Sequence, residues 1–159
     1  MKFIISLFIM LISAKECDQK KAQMTTNVTT EMAERTIQDS TTVTYQAITR
    51  GFFLKIKIEG DSISYSSDNM LKVWSTYQMP NEEKEAFYRL LNETDEKSLV
   101  DLKPMSTSFQ YDAAAMAYLE IAKGDEIYKT DLFDHGKPPK PIHDIVNKIL
   151  SIKSMMEKQ

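Results

Sequence analysis

Between residues 42 and 65 the chain alternates apolar and polar side chains with a period of two, broken only at two short turn sequences. Val43, Tyr45 and Ala47 alternate with Thr42, Thr44 and Gln46, the pattern of a half-buried strand. Arg50-Gly51 interrupts it. Phe52, Leu54, Ile56 and Ile58 then line one face while Phe53, Lys55 and Lys57 line the other. Gly60-Asp61 follows as a two-residue hairpin turn, in which glycine supplies the positive φ that a twist-matched turn needs. Ile63 and Tyr65 continue on the returning strand. Three antiparallel strands joined by tight turns are the simplest account.

The second half uses the same grammar. Residues 113–122 read as a strand, with Ala115, Ala117, Leu119 and Ile121 facing one way and Ala114, Met116, Tyr118 and Glu120 the other. Gly124-Asp125 predicts a second hairpin, and residues 126–133 its return strand. Pro80-Asn81 opens a helix whose first turn carries Glu82, Glu83 and Glu85, where the helix dipole favours anions. Phe87, Leu90, Leu91 and Thr94 form its inner stripe. Leu99, Val100 and Leu102 predict a short helical turn ending before Pro104. Pro141 suits the first turn of a last helix, in which Ile142, Ile145, Val146, Ile149 and Leu150 recur at helical spacing. Residues 66–79 fit neither period. The order β-β-β-α-β-β-α predicts an α+β fold, an antiparallel sheet of about five strands with helices packed on one face.

Upstream of the sheet the chain changes character. Lys2 precedes an apolar run over residues 3–12 broken only by Ser6. That run is too short to span a bilayer, which needs roughly 20 residues, and has the proportions of a secretory signal. Residues 1–17 are therefore expected to be a signal peptide, 18–42 a polar, Thr-rich tether, and 43–159 a single domain. Cys17 is the chain's one cysteine and stands where a bacterial lipoprotein carries its acylated residue. Lys15 and Glu16 depart from the small residues of a lipobox, so cleavage after Ala14 is the competing expectation. Losing Lys2, Lys15 and Glu16 with the leader takes the net charge from −3 to −4, which argues against a nucleic-acid partner.

Polar residues at strand ends and in adjoining loops form one constellation: Arg50, Asp112, Asp131, Asp134 and His135. As a working site, Asp112, Asp134 and His135 would suit acid/base chemistry or a divalent cation, with His135 titrating near neutral pH. As structure, Asp134 would bond backbone amides in its turn, Gly136 would take a positive φ, and Arg50 and Asp112 would pair between loops. The structural account is preferred. His143 flanks the last helical stripe at a distance from His135 that matches no ligand spacing, so it is expected on the surface. No Gly-x-Ser-x-Gly occurs, and four glycines in all leave no Gly-rich phosphate loop. The sequons at Asn27 and Asn92 are short enough to arise by chance. Ten methionines show no repeated spacing and are expected to fill gaps in a core. No cofactor is implied.

Three strings together, Thr49-Arg50-Gly51-Phe52, Tyr111-Asp112-Ala113-Ala114 and Phe133-Asp134-His135-Gly136-Lys137-Pro138-Pro139, resemble a family of small exported proteins of Bacteroidota, flavobacteria above all, many of them lipoproteins. Ala113 stands where that family more often has glycine. The resemblance implies an envelope location and a shared fold and transfers no catalytic residue. The expected protein is a non-catalytic binding domain in the periplasm or at the outer membrane, free or lipid-anchored through Cys17. Arg50, Asp134 and His135 are its candidate contacts for a protein or envelope ligand. The alternatives are a small metal-binding or acid/base enzyme using Asp112, Asp134 and His135, and an inhibitor of a secreted enzyme that presents residues 134–139 as a wedge.

Overall fold

The computed structural model describes residues 41–111 and 114–158, so the leader, Cys17, nearly all of the expected tether, and Asp112 lie outside the described residues. The described chain is α+β. Seven strands form one antiparallel sheet: β1 (Thr41–Thr49), β2 (Phe52–Glu59), β3 (Ser62–Ser66), β4 (Ser75–Gln78), β5 (Met116–Lys123), β6 (Glu126–Lys129) and β7 (Phe133–Asp134). Their order is β4-β3-β2-β1-β5-β6, with β7 also on β5. β1 opens at Thr41, so its first residues fall inside the stretch expected to be tether. Thr41 and Thr42 pair with Lys123 and Ala122 on β5.

Period-two patterning puts every second side chain of the central strands inside. Val43, Tyr45 and Ala47 on β1 oppose Ile58, Ile56 and Leu54 on β2, and Ile121, Leu119 and Ala117 on β5, all of them buried. The turns at Gly60-Asp61 and Gly124-Asp125 close two-residue loops, with both glycines left-handed at φ +56° and +58°.

Two strands depart from the expected five. β4 comes out of the ambiguous stretch 66–79, where Ser75 and Tyr77 pair with Tyr65 and Ile63. The expected straight return strand over 126–133 is broken by a bulge. Between the pairs Glu120–Lys129 and Ala117–Phe133, β5 advances three residues while its partner advances four. The Thr130 N–H donates to the Leu119 carbonyl at 3.0 Å, and the Thr130 hydroxyl accepts the Leu119 N–H at 3.1 Å. The extra residue re-aims the strand: a straight continuation would set Leu132 opposite Ala117 and turn Phe133 to the other face. With it, Phe133 enters the core fully buried.

Both helices cover that same apolar face. α1 (Asn81–Glu93) buries Phe87, Tyr88 and Leu91, and the Tyr88 hydroxyl donates to the Gly60 carbonyl at 2.6 Å, pinning the helix to the β2–β3 turn. A 3₁₀ turn (Glu96–Asp101) follows, starting where the Asp95 carboxylate accepts the Lys97 N–H, and buries Leu99. α2 (His143–Met156) buries Ile145, Val146, Ile149, Ile152 and Met156, and Glu83 meets Lys148 across the two helices at 2.8 Å. Of the methionines expected to fill gaps in the core, Met79 and Met156 do so, whereas Met70, Met105 and Met116 are exposed.

Candidate functional site

The register gathers the loops that carry the candidate residues at one end of the sheet. The Arg50-Gly51 turn lies there, Met116 pairs with Asp134, and His135 bonds through its N–H to the Ala115 carbonyl at 2.8 Å. Residues 67–74 leave β3 beside the start of β2, and the first three of them, Ser67, Asp68 and Asn69, bound with Thr49, Phe52 and Phe53 an open groove of about 270 Å³.

His135 is half-buried against Tyr45 and Phe52, with ring centroids 5.9 and 5.5 Å away. Tyr45 is fully buried, its hydroxyl 2.7 Å from Nδ1 of His135. Burial pushes the phenol pKa well above its ordinary value, only partly opposed by a bond from the Gly136 N–H, so the phenol keeps its hydrogen. Burial, and secondarily the charge of Lys153, hold the His135 pKa below its ordinary value and keep the ring neutral. The Tyr45 hydroxyl and Nδ1 share one hydrogen bond whose donor depends on the ring's tautomer, so Nδ1 is engaged in either case and only Nε2 is left for another group.

Asp134 is buried, and its oxygens serve the chain itself. Oδ1 accepts the Phe109 N–H at 2.8 Å and Oδ2 the Ser108 N–H at 3.1 Å, so β7 ties down the 3₁₀ turn Ser108–Gln110. Burial would raise the carboxyl pKa. Bonds from the Ser106 hydroxyl and from the Phe109 and Ser108 amides outweigh it and hold the group below the usual carboxylate range.

The remaining candidates are dispersed. Arg50 is exposed on its turn, and Asp131 makes an exposed contact with Lys103 at 3.8 Å beside a second groove, of about 320 Å³, lined by Pro104, Thr107, Phe109 and Leu132. Asp112 lies outside the described residues, and with it the expected pair to Arg50. Among the described residues no three His, Cys, Asp or Glu side chains are grouped to hold a metal ion. His143 is exposed on α2 next to Asp144. Within residues 134–139, Asp134, Pro138 and Pro139 are buried, His135 is half-buried, and Gly136 and Lys137 are exposed.

Sequence reading missed Tyr45 and Asp68. A tyrosine on the core face of a central strand has a hydroxyl that must find a partner, which was a usable signal. Asp68, in Ser67-Asp68-Asn69, organises the following loop: its carboxylate accepts the N–H groups of Met70 and Lys72 at 2.9 and 2.8 Å. Aspartate's habit of bonding its own backbone two residues on was the signal there.

Fold and site together define a small α+β domain in which Asp134 and His135 are bonded to other parts of the chain while Arg50 and Asp131 are exposed. Neither protein-family models nor curated protein sequences give a match to the chain.

Proposed function

We propose that the protein is an exported domain of a bacterial cell envelope that binds a protein or envelope ligand without catalysing a reaction, anchored at Cys17 or free in the periplasm. The geometry of His135 and Asp134 carries the non-catalytic part. Nδ1 of the one is engaged by Tyr45, and the oxygens of the other by the turn at 108–109. An acid/base or metal-dependent enzyme would need at least one of these groups turned outward. The apolar run after Lys2, the polar stretch behind it and the resemblance to exported Bacteroidota proteins support the location. No helix among the described residues is long and apolar enough to cross a membrane.

Two measurements test the reading. Intact mass of the chain from membrane and soluble fractions is expected to show a leaderless species, with acyl chains on Cys17 if it is anchored; an uncleaved, unmodified chain in the cytosol overturns it. Asp134→Ala and His135→Ala are each expected to lower the melting temperature. A variant that keeps its stability yet abolishes turnover of a substrate would restore the enzyme.

A further inference from the structure

The loop between β3 and β4 presents Met70 at 66%, Val73 at 67% and Trp74 at 38% exposure, with Leu71 and Phe52 beside them also exposed. The loop is fixed, not loose. Besides the two bonds to the Asp68 carboxylate, the Leu71 N–H donates to the Asp68 carbonyl at 2.9 Å. The Trp74 indole N–H donates to the Leu71 carbonyl at 3.1 Å. Leu71 is left-handed at φ +56°, a conformation unfavourable for leucine that these bonds impose.

We infer that this loop is a membrane-surface contact that sets Met70, Leu71, Val73 and Trp74 into the interface of an anionic lipid bilayer. This rests on the envelope location proposed above. Met70, Leu71, Val73 and Trp74 lie outside the groove bounded by Phe52 and residues 67–69, and one short loop falls far below the ~800 Å² per partner of a stable protein interface. A bilayer needs no such complementary area. It needs apolar tips, an aromatic ring at headgroup depth and polar groups already satisfied, because backbone amides entering a poorly hydrated layer lose their water. Here the amides of residues 70–72 and the indole N–H are bonded within the loop. In 49–53 and 67–74 the charged side chains are Arg50, Lys72 and Asp68. Asp68 is turned into its own loop, leaving the two exposed cations outward to meet anionic headgroups.

Trp74 is the chain's one tryptophan, so its emission reads the loop alone. The full chain is mixed with phosphatidylglycerol-containing vesicles, with pure phosphatidylcholine vesicles, and with phosphatidylglycerol vesicles carrying brominated acyl chains. The expected result is a shift to shorter wavelength on anionic vesicles, quenching by bromine, and attenuation of both by salt. Lys72→Ala weakens partitioning about fivefold, the loss of roughly one cation near the surface. Met70→Ser with Val73→Ser abolishes the shift while the melting temperature is kept, since both side chains are exposed. Unshifted, unquenched emission from protein that co-sediments with the vesicles overturns the inference, because the chain is then held only by its N-terminal segment. A shift that develops on concentrating the protein without lipid also overturns it, by showing a second copy on the loop. Failure of the envelope location would show instead in the fractionation and intact mass, whatever Trp74 does.

Discussion

Tyr45 and His135 are ninety positions apart and joined by one hydrogen bond of 2.7 Å. Removing the phenol oxygen leaves Nδ1 without its partner in a half-buried place and takes the acceptor from the Gly136 N–H. Tyr45→Phe is therefore expected to destabilise the domain by about 1–2 kcal/mol, read from urea midpoints at constant slope. The same pair sets a pH dependence. With its folded pKa held below the ordinary ~6.5, His135 takes up a proton less readily folded than unfolded. Its contribution is complete above about pH 6.5 and is lost as pH falls through the lower folded value, the unfolded chain binding the proton first. His135→Gln should flatten the fall in urea midpoint across that window, and an unchanged slope would show that another group titrates. Asp134 acts further into acid, its lowered pKa giving stability that is present above about pH 4 and lost below it. Asp134→Ala, which orphans the amides of Ser108 and Phe109, should cost about 2–3 kcal/mol at neutral pH.

At the scale of elements, the bulge at residues 130–132 decides whether the second half of the sheet closes. Leu119 is fully buried, so its N–H has no water to fall back on if the Thr130 hydroxyl is removed. Thr130→Val keeps the shape and deletes that acceptor, and is expected to cost about 1–2 kcal/mol; Thr130→Ser keeps the acceptor and should cost less than half as much. Equal losses in the two would mean that the methyl group, not the hydroxyl, matters. Nothing in the sequence announced the bulge. Residues 126–133 contain no glycine or proline to mark it, and an extra residue in a strand leaves only a slip in alternation, visible once Phe133 is known to face Ala117. The hairpins, by contrast, were legible because Gly-Asp between alternating strands leaves few other conformations. The α2 stripe was nearly as plain: Ile145, Val146 and Ile149 are buried on it, Ile142 is buried in a 3₁₀ turn just before it, Leu150 is half-buried at its flank, and the structure adds Ile152 and Met156.

Across the whole molecule, legibility follows the division between sheet and loops. Patterning reveals a core because the core is periodic, whereas the end of the sheet bearing Phe52, His135 and Asp134 is built by aperiodic segments whose contacts lie far apart in sequence. Asp134 to Phe109 and Tyr45 to His135 are such contacts, and periodicity is blind to both. The same division predicts the pattern of local opening. Amides in β1, β2 and β5, central in the sheet and covered by both helices, should exchange with solvent only through global unfolding. Those of residues 105–107 should exchange early. The amides of Met70, Leu71 and Lys72 should break that trend: they lie in an exposed loop, yet each donates to Asp68. Hydrogen exchange should find them slower than those of 105–107. Asp68→Ala should speed Met70 and Lys72 selectively, with the central strands unchanged, because the carboxylate is what holds those two amides. If the substitution speeds the strands as well, Asp68 is part of the global fold; if it changes nothing, the loop is held by its packing.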